Sequence, residues 1–429
     1  MSEYPNVVVI GAGFAGIQVA KGLCRAKADV ILIDRNNHHV FQPLLYQVAT
    51  AGLSPADIAY PIRRIFRAQK NVAVGMGEVR RIDLAARRVY FDGEEGVSYD
   101  YLVVAAGATH SYFGKDEWQP YAPGLKSLDD AVEIRKRVLI AFEEAEYEAN
   151  EESRCAKLTF VVVGGGPTGV EMAGALREIA AEEIQRDFRF IDTKTSRIIL
   201  CQSGDRLLPG MDPKLSARAQ KDLEAMGVIV RLNSRVTGMD ANGLWIGDER
   251  LDCQNVIWAA GVQGAAVNKT LGVELDRSGR VVVGPDLSLP GHRHVFVVGD
   301  AASVMNPKTQ QPVPGLAPAA MQMGRYVAKI IASELAGGTK ERAAFAYKDK
   351  GAMATIGRSR AVAQLGRWRF TGLFAWLMWC LIHVTFLISF RSKIFVMLGW
   401  MYDYFSNSRE ARLITGKTNY RVKTPRLPD

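Results

Sequence analysis

Two copies of one glycine pattern constrain this chain more than any other feature. Gly11-Ala12-Gly13-Phe14-Ala15-Gly16 follows the apolar run Val7-Val8-Val9-Ile10, and Gly164-Gly165-Gly166-Pro167-Thr168-Gly169 follows Phe160-Val161-Val162-Val163. Between a buried strand and a helix, the first glycine allows a tight turn, the second lets backbone approach a pyrophosphate, and the third lets helix pack on strand. The helix N-terminus adds free N–H groups and positive partial charge. A single pattern is weak evidence, because packing alone also produces glycine turns; two in the same context point to two dinucleotides. An echo supports a duplicated unit: Tyr101-Leu102-Val103-Val104-Ala105-Ala106-Gly107 resembles Asn255-Val256-Ile257-Trp258-Ala259-Ala260-Gly261 at nearly the same offset from its glycine pattern.

With 429 residues, 48% of them apolar and 23% charged, the chain can form two or three cores. Cys24, Cys155, Cys201, Cys253 and Cys380 make no C-x-x-C pair and no metal-type spacing with the six histidines. No metal site is expected, and buried packing is the default role for these thiols. No secretory pattern precedes the first strand, so a reducing cytosol is the expected compartment. The net charge of +9 raises the question of nucleic acid. There is no recognition-helix pattern and no basic stripe with interleaved aromatics, so nucleic acid is not an expected partner; a membrane surface explains the excess better.

Asp34 ends the apolar run Val30-Ile31-Leu32-Ile33, where a carboxylate can accept hydrogen bonds from an adenosine ribose. Arg88 to Phe91 and Tyr99 to Leu102 read as strands around the turn 92–96. Ser127 to Asn150 reads as a charged helix opened by a capping box, Ser127-x-x-Asp130, with an acidic outer face. The strand Val295-Phe296-Val297-Val298 needs a sheet, and the economical solution returns it to the first unit. Asp300 would then face a cofactor from the strand's carboxyl end; it equally suits capping of a following helix. The expected fold class is α/β, with two Rossmann-like dinucleotide-binding domains, the second inserted in the first, plus a C-terminal helical membrane-anchoring region. The expected division is 1–125 and 276–345 for the outer domain, 126–156 for a bridging helix, 157–275 for the inserted domain and 346–429 for the membrane-associated region.

On Val-Ile-Gly-Ala-Gly-Phe-Ala-Gly at 9–16, Phe41-Gln42-Pro43-Leu44-Leu45-Tyr46-Gln47, the stretch Gly164 to Glu171, Val298-Gly299-Asp300 and the apolar C-terminal region, the chain resembles the flavoprotein pyridine-nucleotide oxidoreductases. Within them it resembles the type II NADH:quinone dehydrogenases, over nearly its whole length. That resemblance implies FAD on Gly11, Gly13, Gly16, Asp34, Gln47, Gly107 and Asp300, and NADH or NADPH on Gly164, Gly166, Gly169, Gln202 and Gly261. Hydride would pass to the flavin and electrons to a membrane quinone, without proton pumping. It also implies a peripheral position on the cytoplasmic face of the cell inner membrane, with an anionic lipid surface as partner. A homodimer is an open alternative to a monomer.

Gln202 stands where an acidic residue usually ends the strand in NADH-using relatives. A carboxylate about 4 Å from a ribose phosphate would cost roughly 4 kcal/mol per unit charge at an effective dielectric near 20. Glutamine removes that barrier while keeping a hydrogen bond to ribose within reach, and Arg206 is placed to assist a phosphate, so measurable NADPH use is expected. The family motif Ala-Gln-x-Ala-x-Gln at the flavin and quinone site reads Ala317-Pro318-Ala319-Ala320-Met321-Gln322 here. Gln322 is retained, but Pro318 lacks both a side-chain amide and a backbone N–H, and suits the start of a helix from Ala319 to Leu335. Glu171 matches a family carboxylate that manages protons during quinone reduction. Thr168-x-x-Glu171 also fits a capping box with no catalytic duty.

Phe370 to Phe390 holds no Lys, Arg, Asp or Glu, and Trp376, Trp379, Trp400, Tyr402 and Tyr404 suggest a lipid interface. As one helix it would be long enough to span a bilayer, and the resemblance favours a monotopic anchor instead. From Arg391 onward, Arg391, Lys393, Arg409, Arg412, Lys417, Arg421, Lys423 and Arg426 outnumber Asp403, Glu410 and Asp429, which suits anionic headgroups. The rival readings are a sulfide:quinone or disulfide flavoprotein reductase, which needs a redox-active cysteine pair, and a membrane redox sensor that binds FAD and NAD(P)H.

Overall fold

A computed structural model describes residues 4–91, 93, 95–338, 341–406 and 411–415. Its chain divides into two units. The first comprises residues 1–40, 60–109 and 262–350; the second comprises 41–59, 110–261 and 351–429.

The first unit is built on a six-stranded sheet in the order Ser288–Leu289, His292–Val297, Tyr101–Val104, Asn6–Ile10, Asp29–Asp34 and Val72–Met76. Val7 to Val9 are fully buried at the centre of this sheet, between parallel neighbours on both sides, which explains the unbroken apolar run. The return of the late strand is observed: Val295 pairs with Leu102 and Val297 with Val104, in parallel. The helix Ala317–Leu335 packs against Phe14–Gly22 closely enough that a Cβ on Gly324 would run into the Ala15 carbonyl. The hairpin near residue 90 differs from expectation. Arg88–Tyr90 pairs with Gly96–Ser98, while Tyr101–Val104 leaves it for the centre of the large sheet, where its apolar side chains are buried.

In the second unit, Val228–Arg231, Arg197–Cys201, Thr159–Val163 and Asn255–Trp258 form a four-stranded parallel sheet in that order. The expected charged helix is two helices. Leu128–Glu146 starts at the Ser127–Asp130 capping box, and Asn150 caps a separate helix, Glu151–Lys157, through the Ser153 N–H.

The C-terminal part of this unit corrects the expected all-helical anchor. Ala352–Gly357, Arg360–Leu365 and Trp368–Thr371 form an antiparallel sheet before the helices Gly372–Phe386 and Phe390–Ser406 begin. The apolar run from Phe370 to Phe390 is therefore not one helix: it opens in a strand, and Leu387 breaks it in an extended conformation with ψ 138°. Fifteen helical residues reach about 22 Å, short of the roughly 30 Å hydrocarbon core. No helix among the described residues is long and apolar enough to cross a membrane.

Candidate functional site

The two glycine turns share one backbone geometry. Gly11 donates its N–H to the Ile33 carbonyl at 2.7 Å, and Gly164 donates to Cys201 at 2.8 Å. Both have positive φ, +97° and +115°, which a side chain would strain. A Cβ on Gly16 or Gly169 would collide with the carbonyl of Gly11 or Gly164, whereas one on Gly13 or Gly166 would meet nothing within 4 Å. The third glycine is thus a packing requirement, and the second borders open space at a helix N-terminus, where a pyrophosphate fits.

In the first unit the Ala12 peptide is held from both sides. Asp34 Oδ2 accepts its N–H at 2.7 Å, with Asp34 Oδ1 taking Asn36 N–H at 2.8 Å; the carboxylate retains lone pairs for a ribose hydroxyl. His39, which sequence reasoning missed, bonds the Ala12 carbonyl through Nδ1 at 2.9 Å. A carbonyl only accepts, so Nδ1 carries the proton. Burial pushes the His39 pKa down to about 4, and the Phe14 ring meets its imidazole edge-on at 5.2 Å. Asp300 lies in the short turn Gly299–Ala301. It does not cap the next long helix, whose N-cap is Leu316, so that alternative is corrected.

The second unit holds the equivalent peptide with different groups. Gln202 Oε1 accepts Gly165 N–H at 2.9 Å, and the Gly165 carbonyl accepts Leu208 N–H at 2.7 Å. Arg206 donates to the Pro209 carbonyl at 3.0 Å. Gly261 follows the strand Asn255–Trp258 as Gly107 follows Tyr101–Val104.

Glu171 lies in the helix Pro167–Glu178, whose N-cap is Gly166. Thr168 is inside the first turn and caps nothing, so the capping-box alternative fails. Three residues on, Gly174 packs against the Ile356 carbonyl, where a Cβ would collide; this approach presses the helix onto the strand Ala352–Gly357. Glu171 is buried as a result, with a single long backbone donor, Thr355 N–H at 3.4 Å. Desolvation pushes its pKa up to about 8 despite Thr355 and the neighbouring Trp379 indole, which favour the charged form. The Trp379 indole nitrogen is buried without a well-formed hydrogen bond.

These groups wall an open cleft lined among others by Tyr46, Gln47, Glu171, Trp376, Trp379 and Trp400. Gln47 Oε1 accepts Trp400 Nε1–H at 2.7 Å, and its Nε2 donates to the Tyr46 hydroxyl at 2.9 Å. His383 stacks on Trp379 at 4.1 Å and is bonded to the Trp379 carbonyl, and burial lowers its pKa to about 4. Of the aromatics read from sequence as interfacial, Trp376, Trp379, Trp400 and Tyr404 therefore also build a cleft wall. Thr355 lies 184 positions from Glu171, and no local signal joins them.

Gln322 belongs to the first unit. Both ends of its amide bond the Lys348 backbone at 3.0 Å, and Pro318 occupies the first turn of its helix, as anticipated. All five cysteines are free. Cys201, Cys253 and partly Cys380 are sheltered, whereas Cys24 and Cys155 are exposed, contrary to the expected packing role. Among the described residues no His, Cys, Asp and Glu group could hold a metal. The helix Gly372–Phe386 buries Ala375 and Trp379 while Leu373, Phe374, Leu377 and Leu381 are each more than half exposed. Of the basic tail, Arg391, Lys393 and Arg412 are described, and Arg412 pairs with Asp187; Arg409, Lys417, Arg421, Lys423 and Arg426, with Glu410 and Asp429, lie outside the described residues.

Residues 5–324 match the Pyridine nucleotide-disulphide oxidoreductase family, and residues 350–408 match the NDH2 C-terminal domain. The type II NADH:quinone oxidoreductase Ndh of Mycobacterium tuberculosis is 46% identical, the match covering 96% of this chain and 90% of the relative. The NdhA protein of the same organism is 45% identical over 97% and 90%. NDH2 of Plasmodium falciparum, solved in complex with NADH, superposes with a TM-score of 0.87 over 96% of this chain and 100% of that one; at 19% identity this is a likeness of fold. Matched nearly end to end, the chain belongs to the pyridine nucleotide-disulphide oxidoreductases and, within them, to the type II NADH:quinone oxidoreductases.

Proposed function

We infer that this chain is a membrane-associated flavoprotein that oxidises NADH and reduces a quinone. The observation that carries the reading is Glu171, a carboxyl held protonated near neutral pH in the wall of an aromatic cleft. Bound FAD supplies two-electron acceptance from a reduced nicotinamide and two-electron donation to a quinone. The residues fit that cofactor: open space beside Gly13, the tightly held Ala12 peptide, and spare lone pairs on Asp34 suit a pyrophosphate and a ribose. Gly164, Gly166 and Gly169 would hold NADH, with Gln202 on its adenosine side.

Quinone reduction consumes two protons as well as two electrons. Glu171 would hold one of them at a carboxyl oxygen and deliver it to a quinone oxygen, a general acid tuned by burial. Gln47, locked between Tyr46 and Trp400, orients the wall of the same cleft. Without a carboxylate at position 202, NADPH is a second substrate. The exposed apolar face of Gly372–Phe386 would rest on lipid without crossing it, assisted by Arg391 and Lys393. The free thiols suit a reducing compartment, which favours the cytoplasmic face of the cell inner membrane.

The test is the purified full-length protein: its flavin content, and NADH oxidation coupled to a soluble quinone. A yellow protein with quinone-dependent turnover is expected. A protein that takes up no FAD, or whose reduced flavin does not respond to quinone, would overturn the reading.

A further inference from the structure

Phe113 combines three properties that rarely occur together. Its backbone sits at φ +54°, a left-handed conformation unfavourable for a bulky side chain. Its ring is 71% exposed, so no burial compensates. Yet the loop that carries it is fastened down: Ser111 Oγ accepts Phe113 N–H at 3.3 Å, and the Ser111 carbonyl accepts Trp258 Nε1–H at 2.9 Å. Strain maintained by surrounding bonds, with an apolar ring directed to solvent, is a pattern of functional positions.

The place is specific. The ring covers Gly261, where a Cβ would come within 2.5 Å of it, and lies 6.3 Å from Trp258. In the sheet order of this unit, the strand Arg197–Cys201, which Gln202 follows, flanks Thr159–Val163 on one side and Asn255–Trp258 flanks it on the other. A dinucleotide with its pyrophosphate on Gly164–Gly169 and its adenosine at Gln202 runs its second ring toward Asn255–Trp258. Gly261 and Phe113 stand there.

We propose that Phe113 is a binding residue for the nicotinamide half of the dinucleotide, presenting an aromatic face on which that ring stacks. This rests on the assignment of the second glycine turn to NADH. An aromatic face attracts a cation over it, so the oxidised, positively charged nicotinamide gains at least as much as the reduced one.

Steady-state kinetics of the full-length flavoprotein with a soluble acceptor test this, using NADH as substrate and NAD+ and ADP-ribose as competitors. Phe113→Gly suits the left-handed backbone, so its melting temperature should not fall. The variant should raise the KM for NADH and the inhibition constant of NAD+ by about 3- to 10-fold, the worth of one aromatic stack. ADP-ribose, which lacks the nicotinamide, should compete within twofold of its wild-type constant, and Phe113→Tyr should restore all three. Equal weakening of ADP-ribose and NADH, or no change in any constant, would overturn the proposal. If Gly169→Ala leaves the KM for NADH untouched, the underlying assignment falls and takes this proposal with it.

Discussion

Gln202 accepts the Gly165 N–H at 2.9 Å in the same way that Asp34 accepts the Ala12 N–H at 2.7 Å. The residue proposed to face ribose is therefore also a brace of the glycine turn, and an amide makes that bracing bond as a carboxylate does. Gln202→Glu should keep the brace and the melting temperature while adding charge. A carboxylate about 4 Å from a ribose phosphate costs roughly 4 kcal/mol at an effective dielectric near 20, so kcat/KM for NADPH should fall by two orders of magnitude or more. NADH and NADPH kinetics on both proteins check this; an unchanged ratio removes Gln202 from cofactor selection.

Glu171 predicts a pH dependence of stability. Its pKa rises on folding from 4.5 to about 8, so the folded state binds more protons between those values and stability declines as pH rises through that window, levelling off above about 8. Glu171→Gln should abolish this decline in thermal melts from pH 5 to 9. The same variant should lose most quinone-dependent turnover while NADH still reduces the flavin in single-turnover mixing. Retention of full quinone turnover would exclude the proton role.

The two third glycines should separate the two cofactors. A methyl group on Gly16 meets the Gly11 carbonyl, and one on Gly169 meets that of Gly164. Gly16→Ala is expected to purify without flavin, whereas Gly169→Ala should retain yellow colour and lose NADH oxidation. Absorbance spectra and a rate assay distinguish the outcomes.

His39 should make flavin retention sensitive to acid. With its pKa lowered from 6.5 to about 4, the folded state holds His39 neutral, and stability from this group rises with pH between about 4 and 6.5. Below that window a second proton, on Nε2, charges a buried imidazole and destabilises the packing around the first glycine turn, while the Nδ1–H bond to Ala12 stays in place. His39→Ala should weaken FAD binding about fivefold, the worth of one neutral hydrogen bond, while His39→Asn, which can still donate, should restore it and flatten the acid response. Flavin fluorescence on release provides the readout.

Removing the chain from Phe370 onward would be a poor test of membrane attachment, because it deletes half of the strand Trp368–Thr371 and the Trp379 wall of the cleft. Leu377 and Leu381 are 52% and 67% exposed and offer a cleaner one. Changing both to Ser should lower co-sedimentation with anionic vesicles about tenfold or more, given roughly 0.8 kcal/mol per buried methylene, and spare turnover with a soluble acceptor.

Local signals were enough for much of this molecule. The glycine turns, the strands feeding them, the Ser127–Asp130 cap and the placing of Asp34 and Gln202 beside those turns are legible because the residues that make each feature lie close in sequence or repeat at a domain offset. The burial of Glu171 was not legible, since it depends on Gly174 meeting Ile356 and on Trp379 arriving from a distant helix. The apolar run from Phe370 to Phe390 misled for a related reason. Hydropathy measures how willing a segment is to leave water, but whether it pairs as a strand, covers a sheet or faces lipid is decided by what lies beside it. Sequence alone thus determined the two dinucleotide units and the family to which they belong. Only the tertiary structure decided the burial of Glu171, the split of the terminal segment and the grip of His39 on the first turn, because desolvation and hydrogen-bond partnership are properties of neighbours in space.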